Sequence, residues 1–163
     1  MSDSDAPVEP PEQPALPERG CLFGLDYGSK RIGIAVCDGG HSIASPLTVL
    51  RNDRVFVPLL REAAAEYAVV GLVVGLPVHM SGDEGEKARE ARAFGDSVAA
   101  ALKLPIVYYD ERFTSKMANQ AMADAGLSRD KRKARVDMLA AQIMLQSFLD
   151  SGKQDTQPGP MSS

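Results

Sequence analysis

CLFGLDYGSKRIGIAVC, Cys21 to Cys37, sets two apolar runs on either side of a short polar turn. Residues 21–27 and 31–38 read as paired strands around Gly28-Ser29-Lys30, the turn chemistry a hairpin uses. Asp26 falls inside the first run. A charge taken out of water costs several kcal/mol unless it is paired or ligates a metal. A solvated hairpin turn accounts for Gly28 and Lys30 but leaves Asp26 without a reason, so this carboxylate is the first candidate for chemistry.

Working outward, Ser45 to Leu50 reads as a third strand and residues 54–67 (RVFVPLLREAAAEY) as a helix with Pro58 in or near its first turn. Ala68 to Leu76 is continuous and Val-rich, which suits a central strand covered on both faces. After a loop at 77–85, Ser81 and Glu84 have capping-box spacing for a helix running to about Leu102. Pro105 leads into a strand over 106–109. A helix over 115–125 is stopped by Gly126, and a last helix spans 131–150. Three strands in a meander followed by strand–helix alternation predict an α/β fold: a mixed sheet of five strands flanked by helices on both faces.

The tails differ from this middle part. Residues 1–19 hold five prolines and almost no large apolar side chains, so they are expected to be disordered. Residues 151–163 (SGKQDTQPGPMSS) read as a second loose tail, leaving one domain over 20–150. No basic start followed by an apolar stretch marks a signal peptide and no run is long enough to span a bilayer, so a cytoplasmic location is expected. The net charge of -4 over 163 residues is also uneven. Asp3, Asp5, Glu9, Glu12 and Glu18 stand against Arg19 alone in the first nineteen residues. Of the chain's 22 acidic and 18 basic side chains, 17 of each remain for the rest. An acidic total is therefore no argument against a nucleic-acid partner, because Arg129, Lys131, Arg132, Lys133 and Arg135 crowd into seven residues.

Two further acidic positions stand out. Asp110 and Glu111 lie at the carboxyl end of a strand, and alternation lets only one of them face a given site. Asp137 follows the basic run, beside the helical face marked by Val136, Leu139, Ala140, Ile143, Met144 and Leu145. Carboxylates gathered from separate elements are what a hydrolytic divalent-metal site needs, and cations beside them suit a phosphodiester. The loop at 77–85 occupies a strand-to-helix position where ligands bind in open α/β sheets, a weak signal because such loops also carry Gly and Ser for capping alone. Cys21 and Cys37 are equidistant from Ser29 and face each other if the hairpin is centred there; without Cys/His ligand spacing they read as small buried hydrophobes. His41 and His79 read as ordinary loop residues.

Four blocks, GLDYGSKRIGIAVCD, VVGLPVHMSGDEGEKA, YYDERFTSKMA and GLSRDKRKARVDMLAAQIMLQSFLD, together closely resemble the YqgF/RuvX family, bacterial members of the ribonuclease-H-like superfamily related to Holliday-junction resolvases. The resemblance runs from about Cys21 to Asp150 with the blocks in order. It implies a ribonuclease-H-like fold and an acidic triad on Asp26, Glu111 and Asp137. It also implies a nuclease that processes the 5′ end of pre-16S ribosomal RNA, or alternatively one that resolves four-way DNA junctions.

The expectation is divalent-metal-assisted phosphodiester hydrolysis. Asp26, Glu111 and Asp137 would hold Mg²⁺ or Mn²⁺, ions suited to all-oxygen ligands. Lys30, Arg31, Arg112, Arg129, Lys131, Arg132, Lys133 and Arg135 would bind backbone phosphates, so selectivity comes mostly from nucleic-acid shape. Pre-rRNA is the first partner and branched DNA the second, for a monomer or weak homodimer. Two other classes compete. Asp26-x-Gly28-Ser29 also resembles the phosphate loop of sugar kinases and actin-like ATPases, which close two such domains around ATP where this chain has room for one. A non-catalytic assembly factor would keep the basic patch without needing the carboxylates.

Overall fold

The computed structural model describes residues 16–77, 84–111 and 128–155. The described elements run β1 (Cys21–Asp26), β2 (Arg31–Cys37), β3 (Ala44–Arg51), α1 (Phe56–Glu66), β4 (Val69–Leu76), α2 (Glu86–Leu102), β5 (Ile106–Asp110) and α3 (Arg129–Asp155). The helix expected over 115–125 lies outside the described residues.

Five strands form one sheet in the order β3-β2-β1-β4-β5. The first three pair antiparallel, whereas β4 is parallel to both β1 and β5. β4 is buried along nearly its whole length, as its unbroken Val/Leu/Gly run requires. β3 forms one edge, carries Pro46 and has its ladder interrupted beside that residue, two devices that blunt an edge strand.

Alternation sorts the side chains into two layers. Phe23, Leu25, Ile32, Ile34, Leu72 and Val74 point to the face covered by α1 and α2. Leu22, Ala35, Cys37 and Val73 point to the other, where Ala141, Met144, Leu145 and Leu149 of α3 close over them. Met144 and Leu145 belong to the expected stripe, but the rest of it is rotated: Leu139 instead lines a surface hollow with Pro46 and Leu47, and Ile143 is only partly buried. Leu16, assigned to the tail by composition, packs on this second layer, where Gly71 makes room for it.

Other local expectations also shift. The helix α2 starts at Glu86 with Gly85 as its N-cap and no side-chain cap. Glu84, expected in a capping box, is instead held by the Arg92 guanidinium, with Arg92 Nη2 donating to Glu84 Oε2 over 2.6 Å. The last helix continues through Asp155, five residues past its expected end. Cys37 does not face Cys21. The hairpin register pairs Phe23 with Val36 and Asp26 with Gly33, and the Leu22 amide donates to Cys37 Sγ. A one-residue offset sends side chains to opposite faces, so the two free thiols belong to different layers.

Candidate active site

Asp26 is the last residue of β1 and is partly buried, not enclosed within the strand. It shares the α3 side of the sheet with Leu22 and Gly24, two and four residues earlier. Its partner across the hairpin is Gly33. On the other side Leu25 pairs with Val74, which brings Gly75 alongside Asp26 at the next step. Asp26 is thus flanked by two glycines, and each admits another element. A Cβ on Gly33 would collide with the backbone carbonyl of Asp137, so α3 rests directly on β2 there. A Cβ on Gly75 would lie 2.5 Å from Glu111 Oε2, so the Glu111 carboxylate occupies the space a side chain would take. Two residues before Asp26 on β1 and in the same layer, Gly24 seats Leu145, whose Cβ would be 2.8 Å from an added methyl.

Alternation also separates Asp110 from Glu111. Tyr109 packs in the α3 layer, stacked edge-on against Phe148 at 5.8 Å, and Glu111 follows it two residues later. The Glu111 carboxylate hydrogen-bonds Asp26. Burial, then the charges of Glu111 and Asp137, then that shared hydrogen bond push the Asp26 carboxyl up to about 8. Burial raises Glu111 as well, opposed by the bond from Asp26 and reinforced by the charge of Asp110. Two carboxyls in contact, both displaced upward by burial, favour a proton shared between them.

Asp137 lies four residues before Ala141 on the packed face of α3. Its Oδ2 accepts a hydrogen bond of 2.9 Å from Arg31 Nε. Arg31 begins β2 on the same side of the sheet as Gly33. The three carboxylates therefore meet at one end of the sheet, with Asp137 turned onto a guanidinium. Among the described residues, no three acidic, His or Cys side chains stand close enough to hold an ion as they are arranged. The donor set still suits a hard divalent cation: it is all oxygen, and it includes two carboxyls in contact whose shared proton a cation would displace. Completing such a shell requires Asp137 to exchange Arg31 for the ion.

The cations divide by helical phase. Arg129, Arg132 and Lys133 line a hollow together with Arg31, Val136 and Asp137. Lys131 and Arg135 line a different one, walled by Pro46, Leu47, Met138 and Leu139. Lys30 lies in a third hollow with Ser29, Arg31, Arg51, Asn52 and Asp53. Arg112 and His79 lie outside the described residues. His41 Nε2 bonds the Gly20 carbonyl at 2.9 Å, a structural loop role.

Comparison with known proteins gives this arrangement its relatives. The family model described as RuvX, Holliday junction resolvase, matches residues 20–151. The chain belongs to the RuvX family. Among curated relatives, a protein of Cereibacter sphaeroides is 44% identical over 138 residues, covering 83% of this chain and 86% of that protein. One from Rhodobacter capsulatus is also 44% identical over 138 residues, with coverage of 83% and 87%. One from Sphingopyxis alaskensis is 43% identical over 139 residues, with coverage of 84% and 91%. All three are provisionally named pre-16S rRNA nucleases. Among solved structures, RuvC of T. thermophilus in complex with a Holliday junction superposes with a TM-score of 0.50 at 13% identity, covering 82% of this chain and 96% of that one. At that identity the likeness speaks for the fold, and the mixed five-stranded sheet between helices is the ribonuclease-H-like architecture.

The sequence reading gave no separate role to Gly33, Gly75 or Arg51. Each glycine acts through what it lets approach, which only the sheet register reveals. Arg51 closes a neutral strand and is not clustered with other cations in sequence.

Proposed function

We propose that this RuvX-family chain is a divalent-metal-dependent nuclease that hydrolyses nucleic-acid phosphodiesters, acting in the cytoplasm on the 5′ end of pre-16S rRNA. The observation that carries the reading is the contact between Asp26 and Glu111 beside Gly33 and Gly75, with Asp137 alongside and a basic hollow lined by Asp137. The names carried by relatives at 43–44% identity support the RNA substrate.

Asp26, Glu111 and Asp137 would hold Mg²⁺ or Mn²⁺. A metal held there would supply activation of water at neutral pH and charge stabilisation at the leaving oxygen. Asp26 and Glu111 give up their shared proton when the ion binds, so its affinity rises with pH. Arg129, Arg132 and Lys133 bind the nucleic-acid backbone beside Asp137. Arg31, displaced from Asp137 by the ion, would then be left to bind a substrate phosphate.

A second reading, resolution of four-way DNA junctions, is favoured by the description of the matched family. The two are separated by incubating wild type and Asp26→Asn with a pre-16S 5′-leader RNA and with a four-way DNA junction, in Mn²⁺ or Mg²⁺. RNA cleavage that disappears in the variant supports the ribosomal role. Cleavage of the junction alone moves the protein to recombination, and equal cleavage by variant and wild type refutes the assigned centre.

A further inference from the structure

The hollow formed by Ser29, Lys30, Arg31, Arg51, Asn52 and Asp53 shares only Arg31 with the centre described above. Arg31 stands directly opposite Arg51 in the antiparallel β2–β3 register, so both side chains leave the sheet on the α3 side. Like charges placed opposite each other destabilise a strand pair unless an anion lies between or beside them. Arg31 is satisfied by Asp137. Among the described residues neither Arg51 nor Lys30 has an ion pair. The hollow's one carboxylate, Asp53, accepts the Val55 amide at 3.0 Å, where the chain enters α1. Asn52 fixes the cationic turn: its amide donates to the Lys30 carbonyl at 2.9 Å, and its Nδ2 donates to the Gly28 carbonyl at 3.1 Å. Lys30 and Arg51 are thus held beside each other by the backbone of the turn, both exposed.

We infer that Lys30 and Arg51 form a second phosphate-binding subsite, taking a non-scissile phosphodiester of the nucleic acid whose scissile bond lies at Asp26. The subsite rests on the nuclease reading proposed above. Arg31 lines both this hollow and the one containing Asp137. It therefore links the two phosphate positions into one track across the β2–β3 edge. The hollow's single carboxylate, Asp53, cannot by itself assemble the ligand shell of a hydrolytic metal site, so a phosphate there is gripped and not cut. Arg51 offers a planar fork suited to two phosphate oxygens, and Lys30 a point charge.

The test is binding of a labelled leader RNA by fluorescence anisotropy in EDTA, so that cleavage plays no part, from 50 to 300 mM salt. Wild type is compared with Arg51→Ala, Arg51→Gln, Lys30→Ala and the control Lys103→Asn. Lys103 is the left-handed C-cap of α2, at the end of the sheet away from Glu111; Asn tolerates that conformation and removes the same charge. Loss of one phosphate contact lowers the slope of log affinity against log salt by roughly 0.7 to 0.9. Arg51→Ala and Lys30→Ala are each expected to show that drop and a several-fold weaker Kd, with KM raised and kcat kept in the metal-loaded cleavage assay. Lys103→Asn is expected to leave the slope unchanged. Arg51→Gln keeps the side-chain bulk and serves if the alanine variant folds poorly; relief of the facing charges predicts that neither variant melts lower. If Arg51 and Lys30 variants match Lys103→Asn in slope, the subsite is refuted while the nuclease reading stands. If wild type itself binds no RNA or DNA, the nuclease reading fails first and takes the subsite with it.

Discussion

Asp26→Asn should stabilise the metal-free protein at alkaline pH while abolishing cleavage. Burial beside Glu111 and Asp137 raises the Asp26 carboxyl from 3.8 to about 8. A folded-state value above the unfolded one means that the fold favours the protonated carboxyl. That contribution is fully present below pH 4 and is lost as pH climbs towards 8. At about 1.4 kcal/mol per unit, the shift bounds the cost of ionising Asp26 near ~6 kcal/mol. Its proton is shared with Glu111, and Asn offers that neighbour a different hydrogen-bonding group, so about 2 kcal/mol is the gain expected from the substitution. For a domain of this size that raises Tm by roughly 4–8 °C. The assay is thermal melting of wild type and variant in EDTA at pH 5 and at pH 8.5. The two proteins should melt close together at the lower pH and separate at the higher, with the variant more stable. Excess Mn²⁺ should then stabilise wild type and leave the variant nearly unmoved. A variant that is equally stable or less stable at pH 8.5 would refute the argument that Asp26 is held against its ionised form.

The glycines flanking Asp26 make opposite kinds of prediction. Gly33→Ala sets a methyl against the Asp137 carbonyl and must push α3 off β2, costing roughly 2–3 kcal/mol by denaturant titration along with most cleavage. Gly75→Ala meets the Glu111 side chain from Cγ to Oε2 and, among its nearest atoms, no backbone, so that side chain swings aside: stability should change by less than about 1 kcal/mol while Mn²⁺ affinity by calorimetry drops at least tenfold. The helical phase of α3 predicts that Arg132→Ala and Lys133→Ala weaken substrate binding more than Lys131→Ala and Arg135→Ala, each measured as Kd at fixed salt; equal losses would mean that substrate spreads over both hollows.

Much of this architecture could be read from the chain because local pattern and long-range packing agree. The Val-rich run at 68–76 cannot be solvated on either face, and it is the parallel strand beside β1. The apolar runs on both sides of Gly28 pair as expected, but their register is offset by one residue. That offset depends on the turn's backbone geometry, which composition does not specify, and it moves Cys37 to the layer opposite Cys21. The acidic positions were legible as unusual residues, whereas their meeting place was not. It depends on Gly33 and Gly75 lying on either side of Asp26, and glycine carries no signal of what will fill the space it leaves. The packed stripe of α3 was misplaced for a related reason. Leu139 and Ile143 are as apolar as Met144 and Leu145, and it is the space above Gly24 that admits Leu145 to the sheet.

The most direct test of the metal centre is a crystal of the full chain soaked in Mn²⁺, with anomalous differences measured at the manganese edge. The account predicts a peak bounded by Asp26, Glu111 and Asp137, with Asp137 released from Arg31. An anomalous map without a peak there, or with the ion held by other residues while Asp137 stays on Arg31, would contradict it.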